Sequence, residues 1–251
     1  MLKDIGIGGV YVIHAKKGYE LQEKRIIDLF GKHAIDFEFV SDGDVSMFDT
    51  LDIHQYVTES LLTRVRKGTV SCTLNHIFAL QRVVDNKNKY ALIFENDPFF
   101  IGDFHTKIAR VVAEAQTLPP GFMISLENTT LKYPSYRTAK RGKYLYPTYG
   151  GRCAGAYLVD LLGAQQAVES LKTERCNHVV DWWHNRLVER GVVRMYWAHP
   201  VLIEQGSHNG LLCSSISSKE KSFARRMSWN LQKFYKSVFR RLFAQPLIIK
   251  D

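Results

Sequence analysis

The chain has 251 residues, 45% of them hydrophobic and 24% charged, so one large or two small packed domains are expected and global disorder is excluded. No apolar run approaches the roughly 20 residues needed to cross a bilayer. The net charge of +9 is concentrated in residues 218–251, where nine Lys/Arg against Glu220 and Asp251 leave a surplus of +7 and only +2 for the other 217 residues.

In chain order, MLKDIGIGGVYVIHA carries glycines and no small-residue cleavage site after an apolar block. It reads as a first strand, VYVIHA (10–15), rather than a signal peptide. A polar-rich helix from about Gly18 to Phe30 follows, then the alternating strand DFEFVS (36–41). Apolar residues at 70, 74, 77, 80 and 84 mark one helical face. The strand ALIFE (91–95) comes next, then a helix carrying Phe104, Ile108, Val111 and Ala115 that stops before Pro119-Pro120. FMISLE (122–127) and CAGAYLVD (153–160) are strands, and Leu161, Ala164, Val168 and Leu171 share a helix face. Residues 179–191 form a helix closed by Gly191, and 193–199 the last strand. The four cysteines, Cys72, Cys153, Cys176 and Cys213, show no CxxC or CxxH spacing. That pattern favours a reduced, cytoplasmic compartment and argues against zinc.

Strand–helix alternation predicts an α/β fold with a mostly parallel sheet covered on both faces. Ligands of such sheets bind beyond the carboxyl ends of the strands, and there the segment ALIFENDPFF places Glu95 and Asp97. Side chains at i and i+2 of an extended chain point the same way, with Asn96 opposite. The two carboxylates can then hold one magnesium or manganese ion, with phosphate completing its shell. A solvated Asn-Asp-Pro turn is the competing reading.

The segments VYVIHAKKGYELQEKR, FEFVSDGD, GTVSCTLNHIFALQRVV and YALIFENDP, in that order, resemble those of glycosyltransferase family 25, the lipooligosaccharide-type sugar transferases. GRCAGAYLVDLLGAQQAVESL, VVDWW and AHPVLIEQGSHN resemble later segments of the family, so the likeness spans most of residues 10–216. Asn96 stands where the family has its middle acid, and Asn75 where it has a serine. The resemblance implies a GT-A-type, Rossmann-like nucleotide-sugar fold over residues 1–217. It implies inverting transfer of a sugar, commonly galactose, from a UDP-sugar to a saccharide hydroxyl, with Mn2+ or Mg2+ as cofactor.

The chemistry of that reaction distributes roles. Asp97, then Glu95, are the expected metal ligands, with His208 in the glycine-rich EQGSHNG segment as a third, against a lid reading of that segment. His14, Asp42, Asp44, Asn75 and His76 are the donor-binding candidates. His76 lies near a helix start, where backbone donors favour anions; a satisfied core histidine is the alternative. Asp181 is the candidate general base, against a first-turn carboxylate interacting with the helix dipole. Trp182, rather than a core-facing Trp183, offers a platform for a sugar ring. Tyr149 and Arg152, in the Tyr/Lys/Arg-rich segment 132–152, are assigned to the acceptor.

In the tail, Phe223, Met227, Leu231, Phe234, Val238 and Leu242 form one stripe of a basic amphipathic helix. Phe223, Trp229 and the cations Arg225, Arg226, Lys233, Arg240 and Arg241 are its expected contacts with an anionic membrane. This places the chain on the inner face of the plasma membrane, with a helix packed on the body as the alternative. Other readings are a catalytically silent family member, a metal-dependent phosphohydrolase and a nucleic-acid or polyanion binder. The last is disfavoured because the basicity sits in the tail and the body has no recognition motif, so no specific nucleic-acid partner is expected.

Overall fold

A computed structural model describes residues 1–15, 17–209 and 223–243. For 208, 209, 223–225, 240 and 243 it describes the backbone alone. The expected boundary at 217/218 lies outside the described residues.

Seven strands form the central sheet: β1 (Ile7–Ile13), β2 (Glu38–Val40), β3 (Tyr90–Glu95), β5 (Phe122–Ser125), β6 (Leu145–Thr148), β7 (Ala156–Asp160) and β8 (Arg194–Ala198). Their order is β2-β1-β3-β7-β5-β8-β6. The expectation of a mostly parallel sheet holds for direction, since five of the seven strands run the same way. Strand β7, however, pairs antiparallel with both β3 and β5, and β6 antiparallel with β8. A second ribbon pairs β4 (Pro98–Phe100) antiparallel with β9 (Ile203–Gln205). Pro98, read from sequence only as a breaker, begins this two-stranded ribbon, a position where its missing N–H is tolerated.

Period-two alternation sorts the strand residues into two cores. Tyr11, Ile13, Ala91, Ile93, Tyr157 and Val159 face one side. Against them pack α3 (Lys67–Asp85), α5 (Leu161–Thr173) and α6 (Val180–Glu189), through Leu74, Ile77, Leu80, Ala164, Ala167 and Trp183. Val10, Val12, Leu92, Phe94, Ile124 and Leu158 face the other side. There they meet α1 (Glu20–Lys32) and α4 (Phe104–Ala115) through Ile26, Phe30, Phe104, Ile108 and Val111. A short α2 (Glu59–Arg64) precedes α3, and α7 (Gly206–Asn209) follows β9 directly.

Helix α8 (Phe223–Phe243) lies against the body through its basic and polar side. Lys233 pairs with Glu204, Arg241 Nε donates to the Pro134 carbonyl at 2.9 Å, and the Arg241 guanidinium sits 4.3 Å above the Tyr136 ring. Met227, Leu231, Phe234, Tyr235, Phe239 and Leu242 are left exposed. Lys233 and Arg241, expected as lipid contacts, are both engaged by the body. Trp229 is half-buried, Arg226 is exposed, and the side chains of Phe223, Arg225 and Arg240 lie outside the described residues.

Asp160 staples the centre of the sheet. It caps α5 by accepting from Gly163 N at 3.0 Å, and it also accepts from Gly121 N at 2.8 Å and Phe122 N at 2.7 Å. A Cβ at Gly163 would lie 2.7 Å from the Phe122 carbonyl, so the helix start needs glycine for this close approach. Losing the cap and two buried charge-assisted bonds is expected to cost about 2–4 kcal/mol. Asp160→Ala should therefore lower the denaturant midpoint, read by circular dichroism, with an unchanged slope.

Candidate functional site

Beyond the carboxyl ends of β1 and β3 a cleft of about 460 Å³ opens, bounded by the start of α3. Ile13, His14, Asp44, Asn75, Glu95, Asn96 and Asp97 line it, together with Gly68, Ser71 and Cys72 of α3. No side chain caps α3 at Arg66. Gly68 in its first turn faces the cleft, so the positive end of a 19-residue helix is presented there.

The acidic turn is built by the strand register. Glu95 is in phase with Ala91 and Ile93, so it faces α3. Its Oε2 accepts from Gln205 Nε2 at 3.0 Å, while its Oε1 lies 3.9 Å from Cys72 Sγ and 3.7 Å from His76 Nε2. Burial, with Asp97 and Asp181 nearby, pushes its carboxyl up to about 8. Asp97 is buried; its Oδ2 accepts from Ser207 N at 2.9 Å, and its backbone carbonyl from Gly206 N at 2.8 Å. Asp97 Oδ1 is buried without a hydrogen-bond partner. Arg25 of α1 stacks over Phe99 and feels the Asp97 charge, which partly offsets the lowering of its pKa by burial.

Asn96 departs from expectation. The strand ends at Glu95 and the chain bends, so alternation does not carry Asn96 to the opposite side. It lines the same cleft, and its Nδ2 lies 3.4 Å from His14 Nδ1.

The donor candidates divide. His14, Asp44 and Asn75 line the cleft. Asn75 Oδ1 accepts from Gly43 N at 2.7 Å, and Asp44 accepts from Ser46 N at 2.9 Å, fixing the 41–46 turn. Asp42 instead pairs with Arg82, which also reaches Glu38, so its carboxylate ties α3 to the end of β2 outside the cleft. His76 is wholly buried and does not line the cleft; burial lowers its pKa to about 4 and keeps it neutral. The buried-histidine reading therefore describes its position.

The acceptor candidates divide as well. Asp181 lies in the first turn of α6, accepts from Ala154 N at 2.6 Å and sits outside the cleft lining. Trp182 is exposed and Trp183 buried, as the helical spacing predicts. Tyr149 is exposed, whereas Arg152 is 1% exposed and unavailable to a surface acceptor. Its guanidinium donates to the Ala198 carbonyl at 2.9 Å and the Glu127 carbonyl at 3.3 Å, and stacks on Trp197. The side chain of His208 lies outside the described residues.

Residues 9–181 match the family model described as glycosyltransferase family 25 (LPS biosynthesis protein). The chain belongs to glycosyltransferase family 25. No curated protein matches it in a sequence comparison. The acidic turn and the α3 wall of this family 25 chain lie within the matched segment. Gln205 and Ser207, which hold the two acids, lie beyond it. Reading the acids alone missed both of these partners, and it also missed Cys72. The Cys72–His76 spacing of four on one helix was the available signal for the cysteine.

Glu127, whose backbone carbonyl accepts from Arg152, is wholly buried and its carboxyl is pushed up to about 7 by burial, against the lowering effects of the Thr129 donors and Arg152. The folded state thus keeps a proton that the unfolded chain releases near its ordinary value of 4.5. The stabilisation is complete below that value and is lost as pH rises through about 7. The slope for this proton is up to about 1.4 kcal/mol per pH unit. Glu127→Gln should flatten the fall in unfolding free energy between pH 5 and 8, measured by urea titration.

Proposed function

We propose that the chain transfers a sugar, with galactose the first candidate, from a UDP-sugar to a saccharide hydroxyl of a lipooligosaccharide-type acceptor, with inversion and with Mn2+ or Mg2+. The observation that carries this reading is Asp97, a buried carboxylate in the cleft wall with one oxygen lacking any protein partner. The site fits a hard cation held by Asp97 and Glu95. A carboxyl whose charge is disfavoured by its neighbours is one whose ionised form a bound cation restores. Such a cation, when bound, would supply charge neutralisation for a diphosphate leaving group.

The chain's own groups supply the rest. The uncapped first turn of α3 offers backbone N–H donors to the diphosphate. His14, Asp44 and Asn75 form the wall for the nucleoside, in a GT-A-type arrangement. Inversion needs a base opposite the leaving group. Asp181, outside the donor cleft and held by Ala154 N–H, is our candidate to take the acceptor proton. Trp182 stands exposed beside it for an acceptor ring. A phosphohydrolase would require clustered Asp and His ligands, and the one convergent group of three or more His, Cys, Asp or Glu side chains among the described residues is Cys72, His76 and Glu95, with no aspartate in it.

Asp97→Ala should abolish both the manganese-dependent rise in melting temperature with UDP-galactose and the transfer itself, while Asn96→Asp keeps both. Full transfer by Asp97→Ala would rule out its metal role. Asp181→Asn should retain the thermal shift and lose about 10²–10⁴-fold in turnover. Loss of donor binding with unchanged turnover per bound donor would make Asp181 structural.

The exposed row Met227, Leu231, Phe234, Phe239 and Leu242 on α8 supports a peripheral position on an anionic membrane facing the cytoplasm. The +7 surplus of residues 218–251 adds attraction that fades within a Debye length. Among the described residues no helix is long and apolar enough to span a bilayer. The full chain should co-sediment with anionic vesicles at low salt, and Leu231→Glu/Phe234→Glu should not. Equal sedimentation of both would remove the row from the interface.

A further inference from the structure

Cys72 and His76 lie one turn apart on α3, facing the end of β3. The ligand atoms of Cys72, His76 and Glu95 all lie within 4.8 Å of one another. Both α3 side chains converge on Glu95 Oε1, Cys72 Sγ at 3.9 Å and His76 Nε2 at 3.7 Å. Neither separation is a good hydrogen bond. His76 Nε2 is wholly buried and has no hydrogen-bond partner, although its ring is aimed at the carboxylate.

The other ring nitrogen, Nδ1, lies 3.1 Å from the Tyr157 hydroxyl. When Nδ1–H donates to that oxygen, the Nε2 lone pair points at Glu95 and Cys72. This is the outer hydrogen bond that orients a metal-bound imidazole. Carboxyl groups crowd the Cys72 thiol, since Asp97 and Asp181 lie near it as well as Glu95.

We infer that Cys72, His76 and Glu95 form a site for a thiophilic divalent cation of the zinc type. Sulfur, nitrogen and oxygen together suit zinc, whereas magnesium and manganese prefer oxygen alone. A tetrahedral ion at ordinary bond lengths sets its donor atoms roughly 3.3–3.6 Å apart. The two separations from Glu95 therefore need to close by only a few tenths of an ångström, and the Cys72–His76 separation, within 4.8 Å, by at most about 1.3 Å. Cys72 and Glu95 line the cleft and His76 lies behind them, so the fourth coordination position opens to the cleft. This is the pattern of three protein ligands and one exchangeable position. Binding forms metal–thiolate, metal–imidazole and metal–carboxylate bonds, and the thiol proton of Cys72 and the carboxyl proton of Glu95 leave to solvent. The inference stands on this geometry and does not rest on the transfer reaction. Because Glu95 serves both sites, a cation here withdraws it from Asp97.

Cobalt(II) titration of the full-length, reduced protein tests the site. One equivalent should produce a thiolate-to-cobalt charge-transfer band and tetrahedral d–d bands, both displaced by zinc. Cys72→Ser should lose the charge-transfer band, and His76→Ala should weaken binding at least tenfold. Asp97→Ala should keep the band, separating this site from the carboxylate pair. A folded wild-type chain without the band, or a band that survives Cys72→Ser, overturns the inference. Should the variants not fold, one equivalent of zinc should still protect Cys72 of the wild-type chain from alkylation, read by peptide mass spectrometry. Unchanged alkylation there overturns it equally.

Discussion

Burial of β3 on both faces is the constraint on which the rest of the molecule depends. A strand with no solvent face must send alternate residues into two separate cores. Ala91 and Ile93 go to the α3, α5 and α6 side, and Leu92 and Phe94 to the α1 and α4 side. The next position in that alternation is a glutamate, and the strand places it under α3 with Cys72 and His76. Its raised pKa follows from where the strand ends. The bend at Asn96 then releases the chain from alternation, so three consecutive polar residues share one cleft.

The two acids differ in how they are held. Glu95 sits against side chains, Gln205 on one oxygen and Cys72 and His76 about the other. Asp97 is fixed by backbone donors at the start of α7 and keeps one oxygen without a partner. Backbone donors hold a carboxylate in one orientation without adding charge. A free oxygen so positioned is ready for a ligand at little further cost in ordering. Gly155 belongs to the same design, because a Cβ there would lie 2.1 Å from Gln205 Nε2 and displace the amide from Glu95.

Much of this was legible in the sequence. Long periodic segments such as 70–84 and 104–115, and the apolar run 91–94, carry their structure locally, because burial face and period are both written in the residues. The abrupt end of that apolar run placed the acidic turn at a strand end. What the sequence obscured were pairings made at long range. Nothing local in CAGAYLVD says that β7 enters the sheet antiparallel, or that β4 and β9 pair across more than a hundred residues. Asp42 and Arg152 look like ligand contacts by type, but Arg82 and the carbonyls of Glu127 and Ala198 engage them. In α8 the expected stripe exists, yet the basic side meets the protein because Glu204, Pro134 and Tyr136 offer acceptors and a ring face there.

The partners of Glu95 and Asp97 come from chain that is made much later. Gln205 and Ser207 each lie 110 positions after the acid they hold. During synthesis, β1, β3 and α3 can assemble as the chain emerges, since N-terminal units fold first. The acidic turn must wait, solvated and unheld, until β8 has joined the sheet and β9 has paired with β4. A nascent chain arrested before residue 205 would therefore carry a nearly complete nucleotide half with its carboxylates unset. A late stage of synthesis is therefore also the one that arms the cleft.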